Sequence, residues 1–213
     1  MTRLNAQIVP VTVFQQNCCI LFDADDKVGV VVDPGGDADQ IAAAVKELGI
    51  SLEAIWLTHG HLDHAGGAMD LKALTGAEIV GPHRDDELLL NSIEEQCRMF
   101  GVGSGMKNCT PDRWLEEGET VGFGEHKFEV YHTPGHAPGH VIFFNRELRF
   151  AHLGDVLFSG SIGRTDLPGG DHDTLIRSIH EKVLPLGDDV GFLSGHGPGS
   201  RIGDERRTNP FIR

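Results

Sequence analysis

The stretch Thr58-His-Gly-His-Leu-Asp-His-Ala-Gly-Gly67 places His59, His61, Asp63 and His64 within six positions, directly after the apolar run Ala54-Ile-Trp-Leu57. A chain that presents three imidazoles and a carboxylate on one short loop needs a stiff strand before the loop and a sharply turning backbone through it. His59 and His61 lie two residues apart, so at an extended strand end both point the same way and can grip one ion. Gly60, Gly66 and Gly67 let the backbone turn sharply, so that Asp63 and His64 can be redirected to a second ion beside the first.

The competing interpretation is a polar helix N-terminus. Ala68 to Leu74 reads as a short helix, Asp63 would cap it and the histidines would be solvated. That interpretation predicts no further ligands in matching contexts, yet three follow. His136 ends Phe128-Glu-Val-Tyr-His-Thr-Pro-Gly-His, Asp155 ends Arg149-Phe-Ala-His-Leu-Gly-Asp, and His196 ends Val190-Gly-Phe-Leu-Ser-Gly-His. Each closes an apolar, strand-like run, and ligands at the ends of several strands are what a sheet scaffold offers a site. The chain has 28 Gly, and the excess gathers here: Gly135, Gly139, Gly154, Gly195, Gly197 and Gly199.

The remaining pattern predicts alternating sheets and helices. Short strands are expected at Ile8 to Phe14, Cys18 to Phe22 and Val28 to Asp33. A helix follows from Ala38 to Leu48, with Ile41, Val45 and Leu48 on one face and Gly49 as its stop. A longer helix is expected between Asp85 and Phe100, where Leu89, Ile93, Cys97 and Phe100 recur at helical spacing. Gly101 to Gly105 has the composition of a mobile loop near the site. The second half returns to strands at Val121 to Phe123, Lys127 to Tyr131, Val141 to Asn145 and Arg149 to Leu153. A helix from Thr174 to Leu184 and a strand at Gly191 to Ser194 complete two strand-rich halves, each with helices. This predicts two facing sheets covered outside by helices in one α/β domain spanning residues 1–213.

Composition narrows the function classes. The net charge is −14, from 32 Asp and Glu against 18 Lys and Arg, so the surface repels nucleic-acid backbones. No apolar stretch has the length of a membrane helix, and the start lacks a signal-type apolar core, so a cytoplasmic enzyme is expected. Cys18, Cys19, Cys97 and Cys109 show no CxxC spacing and read as buried free thiols.

Five blocks in order resemble the metallo-β-lactamase superfamily, and within it short single-domain proteins of the hydroxyacylglutathione hydrolase (glyoxalase II) type. They are Val30-Val-Val-Asp-Pro-Gly-Gly36, the Thr58 to His64 loop, Thr133-Pro-Gly-His-Ala-Pro-Gly-His140, Leu153-Gly-Asp155 and Ser194-Gly-His-Gly-Pro-Gly-Ser200. The resemblance implies an αββα sandwich holding two divalent ions, Zn first, with Fe or Mn as alternatives. His59, His61 and His136 would hold one ion, and Asp63, His64 and His196 the other. Asp155 would bridge them. It further implies hydrolysis of a thioester, S-D-lactoylglutathione to D-lactate and glutathione, a step of methylglyoxal detoxification. Water activated by the ions would attack and Asp63 would orient it. True β-lactamases of the superfamily usually lack the last His of the loop, so His64 weighs against that activity. The alternative is a mononuclear iron persulfide dioxygenase using His59, His136 and Asp155.

Several residues have two readings. Asp33 either accepts a ring N–H from a ligand imidazole or is an acidic turn residue. His140, starting a strand, is expected to support the ligands or to pack rather than bind metal. Arg164, in a segment resembling short glyoxalase II-like proteins and persulfide dioxygenases, pairs either with a substrate carboxylate or internally with Asp166. Arg201, Arg206, Arg207 and Arg213 form a basic tail. Arg206 and Arg207 could partly replace the glutathione grip that longer relatives draw from a C-terminal helical domain, or the tail is simply solvated. The remaining histidines, His83, His126, His132, His152, His172 and His180, read as ordinary surface or core residues. The protein is expected to be a monomer or small homo-oligomer.

Overall fold

The structure is a computed structural model and describes residues 3–103 and 105–212. Its elements run in the order β1 (Leu4–Val11), β2 (Gln16–Asp23), β3 (Val28–Val32), α1 (Ala38–Leu48), β4 (Ser51–Trp56), α2 (Leu62–Ala65), α3 (Ala68–Thr75), β5 (Glu78–Val80), α4 (Glu87–Leu90) and α5 (Ile93–Phe100). The second half contributes β6 (Thr120–Phe123), β7 (His126–His132), β8 (Val141–Asn145), β9 (Phe150–His152), β10 (Leu157–Phe158), β11 (Ser161–Ile162), α6 (His172–Ser178), β12 (Gly191–Leu193), β13 (Ser200–Arg201) and α7 (Ile202–Thr208).

Strands β1 to β5 form one sheet in sequence order, antiparallel through β3 and parallel from β3 to β5. The other large sheet has the order β13-β12-β9-β8-β7-β6, with β12 parallel to β9 and the remaining pairs antiparallel. The period-2 alternation of side chains assigns the layers. Val30 and Val32 join Cys19, Trp56, Phe128, Val130 and Phe143 in a core between the sheets, where the Trp56 and Phe143 rings lie 4.9 Å apart. Val31 faces the opposite way, toward Ile41, Val45 and Leu71 of α1 and α3. Ile142 and Phe144 likewise face Leu175, Ile179 and Ile202 on the outer side of the second sheet. Three apolar layers between four structural layers make the fold an α/β sandwich of mixed sheets flanked by helices.

Three expected elements differ. The first strand ends at Val11 because Thr12 and Gln15, on either side of Val13 and Phe14, adopt positive φ, 60° and 52°, and turn the chain into β2. The helix expected over Asp85 to Phe100 is broken into a 3₁₀ turn at Arg84–Asp86, then α4 and α5. The break falls where the Leu89 carbonyl is taken by the Ser92 amide, the Ser92 hydroxyl and the Gln96 amide, so it does not serve the next α-helical bond. The helix expected from Thr174 starts at His172, with the Asp171 carboxylate accepting from the Thr174 amide. It widens into a π turn at Ile179–Val183 and tightens at Leu184–Leu186, where Pro185 has no N–H to continue α pitch. By contrast α1 runs from Ala38 to Leu48, and Gly49 closes it at φ 66°.

The basic tail is folded. α7 buries Ile202, and Ile212 joins the outer core behind it. Arg213 lies outside the described residues, as does Ser104 within the Gly101–Gly105 segment. All four cysteines are free and buried. No helix among the described residues is long and apolar enough to cross a membrane.

Candidate metal centre

Four strands deliver the ligand-type side chains from their C-terminal ends. β4 leads into His59 and His61, β7 into His136, β9 into Asp155 and β12 into His196, so donors from both sheets meet over one edge of the sandwich. The Nε2 atoms of His59 and His136 are 3.2 Å apart, and His61 Nδ1 is 3.0 Å from His136 Nε2. Donors about 2.0–2.1 Å from a tetrahedral ion stand roughly 3.3 Å from one another, so these three fit a single cation. Asp63, His64 and His196 form a second group, with Asp63 Oδ2 at 3.2 Å from His196 Nε2 and 3.8 Å from His64 Nε2. Asp155 Oδ2 lies between the groups, 3.6 Å from His136 Nε2, 3.5 Å from His64 Nε2 and 3.6 Å from His196 Nε2.

The free nitrogens are selected from behind. His136 Nδ1–H donates to the Arg164 carbonyl at 2.8 Å, which turns the Nε2 lone pair inward. Asp33, at φ 53° in the left-handed region, spends both carboxylate oxygens here. Oδ1 accepts from the Thr58 amide at 2.7 Å, and Oδ2 accepts from the Thr58 hydroxyl at 2.6 Å and from His64 Nδ1 at 2.9 Å. Having donated to Asp33, the Thr58 hydroxyl accepts from His59 Nδ1 at 2.9 Å. His140 stacks on His59 with centroids 4.8 Å apart, and its Nε2 accepts from the Asp155 amide at 3.0 Å. Gly195 fits where no side chain could, since a Cβ would sit 2.3 Å from Asp155 Oδ1 and 2.4 Å from His64 Cε1.

The electrostatics fit cations. His64 Nε2 and Asp155 Oδ1 are buried with no hydrogen-bond partner, a costly arrangement that a metal ion relieves. Burial opposes ionisation of Asp155, but the His64, His136 and His196 rings outweigh it and hold the carboxyl far below its usual range. Asp63 is held low in the same way, burial being outweighed by His64 and His196. Burial first, then neighbouring His136, pushes His61 down to about 3, so its ring is neutral and available as a donor. His64 alone is raised: burial lowers it, but Asp155 and Asp63 prevail, leaving a proton that a bound cation displaces.

Two side chains not singled out from the sequence hold the loops together. Asp86, fully buried, accepts from the amide of Gly60, between His59 and His61, at 2.8 Å, and also from the amide of Gly139 in the His136 loop. Its pKa is raised to about 7 by burial, against the pull of those two amides. Gln96 accepts from the Leu62 amide at 2.9 Å and donates to the Gly60 carbonyl at 3.2 Å. The available signal was a lone Gln in the apolar stripe of α5. His132, read as ordinary, donates from Nε2 to the Pro138 carbonyl at 2.8 Å and steadies the same loop.

The centre floors a cleft of about 350 Å³, lined by Arg164 among others. Both Arg164 guanidinium contacts go to Asp166, at 2.7 Å each. Arg206 binds Asp188 and the Leu184 carbonyl, Arg207 binds Asp204, and neither is among the residues lining the cleft.

An αββα sandwich with paired His and Asp groups over its strand ends defines a dinuclear metallohydrolase-type scaffold, and the chain belongs to the metallo-beta-lactamase superfamily, whose family model matches residues 11–196. Among individual relatives, it is 47% identical over 210 residues to the hydroxyacylglutathione hydrolase GloC of Haemophilus influenzae, covering 98% of each chain. Two solved structures superpose over nearly the whole length. The BLEG-1 B3 metallo-beta-lactamase has a TM-score of 0.89 at 36% identity, covering 98% of this chain and 99% of that one. TTHA1623 in a di-iron-bound form has a TM-score of 0.87 at 35% identity, covering 96% and 99%.

Proposed function

We propose that the protein is a dinuclear metallohydrolase that cleaves a glutathione thioester of the S-D-lactoylglutathione type to the free acid and glutathione. The observation that carries this reading is the position of Asp155 Oδ2, within 3.6 Å of donors from both ligand groups. A mononuclear dioxygenase needs only two histidines and one carboxylate; here four further donors are held in register and buried or half-buried. The identity of the relative from Haemophilus influenzae supports the thioester as substrate.

His59, His61 and His136 would hold one divalent ion, Asp63, His64 and His196 the other, and Asp155 both. Zn is the first choice, and Fe or Mn suit the same nitrogen and oxygen donors. When bound, such ions lower the pKa of water toward about 7 and polarise a carbonyl oxygen. Asp63, ionised at neutral pH, accepts a hydrogen bond from the attacking water and orients it toward the acyl carbon. The leaving thiolate is a good leaving group and needs no proton from the chain. Arg164, at the cleft wall, can be exchanged from Asp166 to a substrate carboxylate, which makes it a weak anchor. Protein in the cytoplasm, acting without a membrane or nucleic acid as partner, completes the reading.

Metal analysis of the purified protein together with three assays tests it: thiol release from S-D-lactoylglutathione, oxygen uptake with glutathione persulfide, and hydrolysis of a chromogenic β-lactam. Thiol release without oxygen uptake, preserved after reloading with Zn, is expected. Iron-dependent oxygen uptake, or β-lactam turnover exceeding thioester turnover, would overturn the assignment.

A further inference from the structure

Away from the ligands, the cleft is walled by Phe14, Leu62, Phe100, Phe158, Ile162 and Leu167, with Ser161 and Arg164 as the polar remainder among the described residues. Phe14 comes from the β1–β2 turn and Phe100 from the end of α5, yet their rings meet edge to face, 6.4 Å apart at 87°. The Phe158 and His196 rings lie 6.2 Å apart at 76°, so the apolar wall reaches the candidate metal-ligand residues themselves. The mouth stays exposed: Phe100 is 41% accessible and Val13, beside Phe14, 81%. A patch of this kind next to a reactive centre is a binding feature rather than packing.

Charge points the same way. Arg164 is the cation among the described lining residues, and Asp166 occupies its guanidinium, in a chain with net charge −14. The glutathione half of a thioester carries two carboxylates, which phenyl rings do not neutralise, and one ammonium, for which they offer only a cation–π contact. The acyl half is the part that can be apolar.

We infer that the acyl group of the substrate is apolar and larger than lactoyl, an aryl or branched 2-hydroxyacyl group seated against Phe14, Phe100 and Phe158. This rests on the thioesterase reading. Contacts remote from the carbonyl then supply binding energy through apolar burial, and the specificity lies in three aromatic side chains from separate segments.

The test compares S-D-mandeloylglutathione, which has phenyl where S-D-lactoylglutathione has methyl, on the metal-loaded full chain. Wild type should show about tenfold higher kcat/KM for the mandeloyl ester, the order expected for added apolar carbons in a partly open pocket. Phe14→Ala and Phe100→Ala should bring the mandeloyl-to-lactoyl ratio toward one, mainly through KM, at unchanged metal content. Leu88→Ala, an exposed apolar residue on α4 that is not among the cleft-lining residues, should leave the ratio as it is. A wild-type ratio of one or below, or a ratio unmoved by both Phe variants, overturns the inference while leaving a thioesterase. Failure to cleave either ester with full metal content defeats the thioesterase reading itself.

Discussion

Asp155 reaches donors of both ligand groups, so replacing it exposes what the carboxylate does. In Asp155→Ala the His64 Nε2 and the two flanking histidines lose their common anion. Removing partners that merely orient ligands costs about 10–100-fold in metal affinity. Loss of this carboxylate should therefore cost at least about 100-fold, with turnover abolished, as read by metal content after dialysis and by thiol release. Wild-type metal content and hydrolysis would show that the two groups do not share it. His152 makes a second residue-scale prediction. Burial chiefly, against the upward pull of Asp33 and helped by His64, holds it down to about 4, while the unfolded chain returns it to the ordinary value of 6.5. The folded state resists the proton that the unfolded state accepts. The stabilisation is full above pH 6.5 and is lost as pH falls toward 4, at about 1.4 kcal/mol per pH unit. Unfolding free energies of wild type and His152→Asn between those limits should differ in slope by that amount; parallel curves would count against a neutral buried ring.

At the scale of elements, the metal loops are only as rigid as the segment behind them. Asp86 ties the loop after β4 to the loop after β7 through two amides, one on each carboxylate oxygen. Asp86→Asn turns an acceptor into a donor facing an amide N–H. Metal affinity should fall about 10–100-fold and kcat with it, while KM at saturating metal holds because the cleft walls are untouched. An unchanged affinity would assign Asp86 to folding alone. The C-terminal helix has a comparable role that charge counting obscured. In α7 the buried Glu205 accepts from the Gly160 amide at 2.8 Å, and Asn209 just beyond it donates to the Ser161 carbonyl at 2.9 Å, so the helix pins the β10–β11 hairpin that carries Phe158 and Ile162. Glu205→Ala leaves that amide without its partner, which should cost about 1–3 kcal/mol in chemical denaturation and raise KM. What the sequence made legible follows from this contrast. Helix α1, with its apolar stripe and terminal Gly49, and the strands flanking the ligand loops depend on local pattern, and so did the ligand clusters. Asp86, Gln96 and Glu205 bind backbone groups 26 to 53 positions away, and such pairings leave no trace in local periodicity. Arg206 likewise meets Asp188, 18 positions away, whereas the Arg207 partner Asp204 lies one helical turn back.

For the whole molecule, the centre also gathers buried polar atoms that have no protein partner. Asp63 and Asp155 are packed among histidines that burial keeps mostly neutral, and three buried atoms there, His61 Nε2, His64 Nε2 and Asp155 Oδ1, lack a hydrogen-bond partner, the last two of which a cation would relieve. Chelation should therefore lower the melting temperature as well as activity. A ligand present at about 1,000 times its Kd stabilises by about 4 kcal/mol. Thermal melts with and without chelator, followed by Zn titration, measure the difference; coincident melts would mean the ligand cluster is not strained. The donors of the candidate cluster run from position 59 to position 196, and the two sheets each supply part of the set. During synthesis at about 5–20 residues per second, the amino-terminal sheet can assemble with an incomplete cluster long before the final histidine leaves the ribosome. Assembly of the full His and Asp cluster thus waits on the docking of the two sheets, and a chain cut before His196 lacks one donor of the Asp63, His64 and His196 group.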